Sequence, residues 1–220
     1  MALDDSGRQA LQTVLALLAE ERASVSSVVD QRAWKVHVED SLTGLEVPAL
    51  RDGGRIADVG AGAGFPGLVL AVALPDAQVD LIESVGRKCD FMNRAIEAAS
   101  IPNATVLNTR SEEWAKAEGR ESYDVVTARA VARLSTLAEL ASPLLKPKGT
   151  LVAWKGKRDE DEEQQLTRAS ESLAMTPGEI LNVGGRAGSK HRHLHVITKS
   201  GPTPSDLPRR PGIAKKRPRG

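Results

Sequence analysis

Apolar residues change their spacing near residue 55. Before it, Leu11, Val14, Leu15 and Leu18 recur at the interval of one helix face, with Asp4, Asp5 or Ser6 available as a cap. This predicts a helical lead-in reaching about Leu50. From Arg55 onward short β-rich runs take over: RIADVG, QVDLIES, ATVLNT, YDVVTA, GTLVAWKG, EILNVG and HLHVIT. Helical stretches separate most of them, notably Gly67 to Leu74, Arg87 to Ala99, Leu134 to Leu145 and Asp159 to Met175. Parallel neighbours need a crossover long enough for a helix, so the alternation predicts an α/β fold: a mostly parallel sheet with helices on both faces. The final two strands are joined by GGRAGSKHR without a helix and are expected to pair antiparallel at one edge. The expected organisation is a helical extension over 1–50, an α/β domain over 51–200 and a flexible, basic, Pro-rich tail over 201–220.

Composition narrows the field. A chain of 220 residues, 40% hydrophobic, suffices for one well-buried core and not for two full domains. The stretch MALDDSGRQA has acids where a signal peptide needs apolar residues, and the longest apolar run, Leu68 to Leu74, is too short to span a bilayer. The expectation is a cytoplasmic, monomeric protein with no membrane contact. A single cysteine, Cys89, excludes an intrachain disulfide and any multi-cysteine site. The net charge of +1 hides an asymmetry: from Arg186 to the end, ten Lys and Arg face one acid, Asp206, and the remainder holds 20 basic and 28 acidic residues. A block of that sign answers a polyanion, or serves as a solubilising tail.

The densest chemistry lies in DVGAGAGFPG, residues 58–67. Gly60, Gly62, Gly64 and Gly67 leave bare backbone between the first strand and the following helix, where a doubly wound sheet binds ligands. Gly62 to Gly67 also fit the dinucleotide pattern G-x-G-x-x-G, a weak signal alone. Glu83 ends the second strand and is placed to accept both hydroxyls of an adenosine ribose, in NAD or in S-adenosylmethionine alike. Asp58 tips the balance. It either orients the loop or meets a cationic ligand, and S-adenosylmethionine presents an ammonium and a sulfonium where NAD presents a pyrophosphate.

With HVEDSL at His37 to Leu42, then IESVGRKCDFMN, NTRSEEW, TARAVARL, AWKG and RHLHVI in order, nearly the whole chain resembles the bacterial RsmG (GidB) family. The resemblance implies a class I S-adenosylmethionine-dependent methyltransferase with a seven-stranded Rossmann-like sheet. It implies action on guanine N7 in 16S ribosomal RNA near the decoding centre, with small-subunit RNA or the subunit itself as partner. Matched by motif position, Gly60, Gly62 and Phe65 belong to the cofactor's amino-acid and sulfonium side, Glu83 to the ribose, and Ser111 and Glu112 to the adenine. Arg129 is implied to face both the methionine portion and the target base. Related sequences often carry aspartate where Glu83 stands; the extra methylene still permits the ribose contact.

The residues also argue against neighbouring chemistries. TARAVA replaces the Asn/Asp-Pro-Pro-aromatic loop of exocyclic amino methyltransferases, and Cys89 lies in a helix, where a packed thiol is expected rather than a nucleophile. Guanine N7 has a free lone pair and loses no proton, so in-line transfer needs positioning and no general base. A NAD-dependent oxidoreductase would need a Tyr-x-x-x-Lys pair or its equivalent, which is missing; a plain nucleic-acid-binding module would leave the glycine loop without a purpose. Lys155, Lys157, Arg158, Lys190, Arg192, Arg209 and Arg210, with Arg186, Lys215, Lys216, Arg217 and Arg219, are expected to track RNA phosphates. With only six aromatic residues, stacking is limited to one flipped base, on Phe65 or Trp154. His191, His193 and His195 alternate on one strand face but lack a nearby acid or cysteine, so no metal is expected. His37 and Asp40 either cap the glycine loop or border the RNA pocket.

Overall fold

The structure, a computed structural model, describes residues 3–21, 25–26, 28–184 and 191–220. Helix α1 (Asp5–Glu20) opens with the Asp4 carboxylate accepting the Gly7 N–H at 2.7 Å and buries Leu11, Val14 and Leu18. A tightly wound segment follows: a π-helical turn Trp34–Glu39, α2 (Asp40–Leu42), a 3₁₀ turn Thr43–Glu46 and α3 (Pro48–Asp52). Strand and helix then alternate through β1 (Arg55–Val59), α4 (Gly67–Ala73), β2 (Gln78–Glu83), α5 (Gly86–Ala99), β3 (Ala104–Asn108), α6 (Ser111–Trp114), β4 (Tyr123–Arg129) and α7 (Leu134–Ala141). The series ends with β5 (Leu145–Lys155), α8 (Glu160–Leu173), β6 (Met175–Asn182), β7 (His193–Lys199) and α9 (Ile213–Lys216).

The seven strands form one sheet in the order β3-β2-β1-β4-β5-β7-β6, parallel except for β7, which runs antiparallel to both its neighbours. The antiparallel edge is where the helix-free connection predicts it. Because the chain goes from β1 outward to β3 and returns to β4 on the other side, β1 and β4 flank a switch point, and their carboxyl ends open a crevice. Two apolar layers close the sheet. One packs α1, α4 and α5 on Ile56, Leu81 and Val125; the other packs α7 and α8 on Val126, Leu151 and Ile197. No described helix is long and apolar enough to cross a membrane.

Two expectations need correction. Helix α7 stops at Ala141 rather than Leu145: Ser142 still donates back to the Ala138 carbonyl at 2.9 Å, but Pro143 has no N–H to continue the series. The C-terminal segment is packed, not loose: Leu207 and Ala214 are each 3% exposed, and Thr136 Oγ1 donates to the Ala214 carbonyl at 3.3 Å. At its root Lys199 is fully buried with all three donors used, on Glu121 Oε1, the Leu145 carbonyl and Thr203 Oγ1, each at 2.7 Å. A basic, Pro-rich composition suggests a solvated chain only when its charges lack partners, and these have them.

Candidate active site

The glycine loop follows β1 directly. Gly60, Gly62 and Gly64 have φ of 68°, 62° and 87°, the left-handed region that side chains disfavour. Gly67 serves a different need. A Cβ there would lie 2.2 Å from Leu81 Cδ2 and 2.9 Å from Asp58 Oδ2, so the helix start can press onto the sheet only without one. Asp58 holds that junction: its Oδ2 accepts the Gly67 N–H at 2.9 Å and its Oδ1 the Thr127 hydroxyl at 3.0 Å. Burial pushes its pKa up to about 7 against the opposing pull of these hydrogen bonds. Of its two expected roles the structure shows the loop-orienting one, and the buried carboxylate, 1% exposed, offers no open face to a cationic ligand.

On one side of the loop lies a cleft of about 180 Å³ lined by Val59, Gly60, Ile82, Glu83, Ser111, Glu112, Val131, Thr136 and Leu140 among others. Apolar side chains (Val59, Ile82, Val131, Leu140) and polar ones (Glu83, Ser111, Glu112, Thr136) share its lining. Glu83 Oε2 accepts the Gly62 N–H at 3.0 Å and Oε1 the Val85 N–H at 2.9 Å, so the carboxylate ties the two strand-end loops together while each oxygen can accept one bond more. Ser111 Oγ donates to Glu112 Oε2 at 3.3 Å, and the Gly212 N–H to Glu112 Oε1 at 2.8 Å. Bare backbone, a carboxylate able to accept from hydroxyls and a lining that mixes apolar with polar side chains fit an adenosine moiety. The structure therefore brings Gly60, Glu83, Ser111 and Glu112 into one cleft, with Gly62 behind it.

Phe65 and Arg129 lie elsewhere, on the opposite flank of the loop against the N-terminal extension. The Arg129 guanidinium donates through Nη1 to Asp40 Oδ2 at 2.9 Å and to the Val36 carbonyl at 3.0 Å, with Nη2 3.3 Å from His37 Nδ1. Asp40, 1% exposed, also has Arg192 Nε 2.7 Å from its Oδ1, and its carbonyl accepts the Trp154 indole N–H at 2.9 Å. His37 stacks on Phe65 with ring centroids 4.5 Å apart and 13° between planes. Its Nε2 gives its proton to the Val28 carbonyl at 2.9 Å, which leaves Nδ1 as the acceptor for Arg129. Burial lowers the His37 pKa, so the ring is neutral near pH 7.

Sequence reasoning singled out HVEDSL without deciding its role. His37 caps the loop residue Phe65, and Asp40 anchors two arginines. An arginine ending a buried strand demands a carboxylate, and Asp40, three residues after His37, answers that demand beside it. Trp154, 1% exposed and wedged against Gly44, is unavailable for base stacking; the face of Phe65 that His37 covers is taken as well.

Four of the basic residues expected at RNA phosphates are committed internally: Lys155 to Glu162, Arg158 to Glu163, Arg192 to Asp40 and Arg209 to Glu139. Arg219 likewise pairs with Asp206. Lys157 and Arg210 are exposed without an ion pair among the described residues. Lys190, with Arg186, lies outside the described residues. Cys89 is buried in α5 with its thiol on the Glu83 carbonyl at 3.3 Å, and its pKa is raised by burial, the opposite of an activated nucleophile. Tyr123, the chain's one tyrosine, is buried at the start of β4 with its hydroxyl on Asp80 at 2.7 Å, which leaves no tyrosine for hydride-transfer chemistry. Among the described residues no group of three or more His, Cys, Asp or Glu could hold a metal.

Comparison with known proteins accords with this geometry. Residues 9–194 match the profile of the GidB family, described as rRNA small subunit methyltransferase G. The protein of that name from Staphylococcus saprophyticus is 34% identical over 222 residues, covering 98% of this chain and 92% of its own length; the one from Staphylococcus carnosus is 35% identical over 228 residues, covering 99% and 93%. Among solved structures, a SAM-dependent methyltransferase from Aquifex aeolicus superposes with a TM-score of 0.56 at 18% identity, over 77% of this chain and 94% of that one. Aeropyrum pernix fibrillarin with natively bound S-adenosyl-L-methionine gives 0.56 at 12% identity, over 72% of each. Those two likenesses establish a shared Rossmann-like α/β fold. On sequence, the chain belongs to the rRNA small subunit methyltransferase G family.

Proposed function

We propose that this protein transfers a methyl group from S-adenosylmethionine to N7 of a guanine in 16S ribosomal RNA, near the decoding centre. The observation that carries the reading is the two-sided site around the glycine loop. An adenosine-shaped cleft holding Glu83, Ser111 and Glu112 lies on one flank, and an arginine fixed by Asp40 and His37 on the other. S-adenosylmethionine supplies a methyl carbon made electrophilic by its positive sulfur.

The chain's own residues bind and orient. Glu83 takes the ribose hydroxyls, Ser111 and Glu112 the adenine edge, and Gly60 and Gly62 let the backbone approach. Phe65, backed by His37, walls the methionine side. Arg129 donates toward the guanine or the methionine carboxylate; its acceptors Asp40 and Val36 limit its swing, so it is held before substrate arrives. N7 gives up no proton, and holding it within about 3 to 3.5 Å of the methyl carbon, in line, is the main source of rate. Phosphate contacts fall to cations that are not internally paired: Lys157 and Arg210, joined by Arg110 and Arg133, which are exposed just beyond β3 and β4. The largely buried and paired Lys155, Arg192 and Arg209 shape the protein instead.

Two measurements test the reading. S-adenosylhomocysteine raises the thermal midpoint and NAD does not, since only a ligand bound by the folded state stabilises it. Labelled methyl from S-adenosylmethionine appears in small-subunit RNA when purified small subunits lacking the modification are supplied. Cofactor binding without transfer to subunits, precursors or free RNA overturns the substrate assignment.

A further inference from the structure

Resting on the cofactor reading above, we infer that the C-terminal segment around residues 209–216 is a wall of the cofactor cleft, and that its docking sets the affinity for the adenosine portion. Gly212, Ala214 and Lys215 line the cleft together with the ends of β1 and β2 and the inner face of α7. The Gly212 N–H donates to Glu112 Oε1 at 2.8 Å, while Ser111 Oγ holds Oε2. Thus the tail fixes the carboxylate that faces the adenine.

Three anchors hold the segment there. Ala214 is buried, with its carbonyl accepting from Thr136 Oγ1 at 3.3 Å. Leu207 is buried in the α7–α8 layer. Between them the Arg209 guanidinium forms an ion pair with Glu139, which is 3% exposed on α7, and also donates to the Arg217 carbonyl at 2.8 Å. An Arg and a carboxylate meeting through two N–H···O bonds give orientation as well as attraction. Releasing this segment would open one side of the cleft to water and leave the Glu112 carboxylate with one fixed oxygen. The basic end of the chain therefore serves the cofactor as much as the RNA.

The test is calorimetric titration of S-adenosylhomocysteine into the full-length protein and its Arg209→Ala and Gly212→Pro variants. The first removes the ion pair; the second removes the N–H that Glu112 accepts and imposes a φ far from the 79° found there. Binding tenfold or more weaker in both, with unchanged circular dichroism, is the expected result. Amide exchange on the unaltered protein gives a second readout that needs no variant: S-adenosylhomocysteine slows exchange at 212–216. Undiminished affinity in the variants, or exchange at 212–216 indifferent to the ligand, overturns the inference while leaving the cofactor reading intact. An unaltered protein that binds no S-adenosylhomocysteine brings down the cofactor reading itself.

Discussion

Replacing Asp40 by asparagine removes one negative charge that two arginines share. The carboxylate is 1% exposed, with Arg129 Nη1 2.9 Å from one oxygen and Arg192 Nε 2.7 Å from the other; the two side chains are 13% and 22% exposed. Asparagine keeps one acceptor oxygen but turns an N–H₂ toward the second guanidinium. The two positive charges, now facing each other at roughly 7 Å, repel by about 2 kcal/mol at the effective dielectric of such sites. Breaking a buried pair by deleting one partner costs about 3 to 5 kcal/mol, and the lower end applies because Arg192 reaches water. A loss of about 3 kcal/mol is expected in urea unfolding at pH 7.5 with an unchanged m-value, equivalent to a midpoint lower by about 6 to 12 °C. Adding Arg192→Gln to the same protein recovers part of that loss, since it removes the unneutralised charge. A loss below about 1 kcal/mol for Asp40→Asn, or a double variant less stable than the single one, would refute the shared-anchor account.

Asp58→Asn reproduces the protonated carboxyl, with Oδ1 accepting from Gly67 and the amide donating to Thr127. Since the folded-state pKa is raised from 3.8 to about 7, the native state holds this proton more tightly; that stability is fully present below pH 3.8 and is lost as pH rises through 7. The stability of the variant relative to wild type therefore grows by about 3 kcal/mol between pH 4.5 and pH 8, and a constant difference would contradict it. Gly67→Ala drives a Cβ into Leu81 and Asp58, lowering stability by about 1 to 3 kcal/mol in thermal or urea unfolding. Arg129→Ala leaves Asp40 paired with Arg192, so folding suffers less than in Asp40→Asn, while single-turnover methyl transfer falls about a hundredfold or more. Unchanged turnover removes Arg129 from the site.

Most of the sheet was legible because each strand is a short apolar run with a helix or a turn signal after it. The run YDVVTA and the observed Tyr123–Arg129 differ by a single residue. Helix α7 is shorter than its apolar spacing suggests: Leu144 and Leu145 continue the helical interval past Pro143, yet Leu144 lies in a turn and Leu145 opens β5. The residues that line the cleft are readable from local order, since Gly60 and Ser111 follow a parallel strand and Glu83 ends one. Asp40 was not: its partner Arg129 is 89 residues away, and only folding reveals that one carboxylate serves two arginines. Counting Lys and Arg is blind to their internal partners for a related reason. Formal charge cannot see that Glu139, Glu162 and Glu163 wait opposite Arg209, Lys155 and Arg158. The tail followed the same logic, its basic composition concealing two apolar anchors, Leu207 and Ala214.

The most direct measurement is the identity and position of the methylated nucleoside. Small subunits lacking the modification are incubated with the protein and labelled S-adenosylmethionine, and the 16S RNA is digested and mapped by mass spectrometry. The account predicts 7-methylguanosine at a single position near the decoding centre. Label on a ribose, an exocyclic amine or a pyrimidine carbon, or scattered over many guanines, would contradict it.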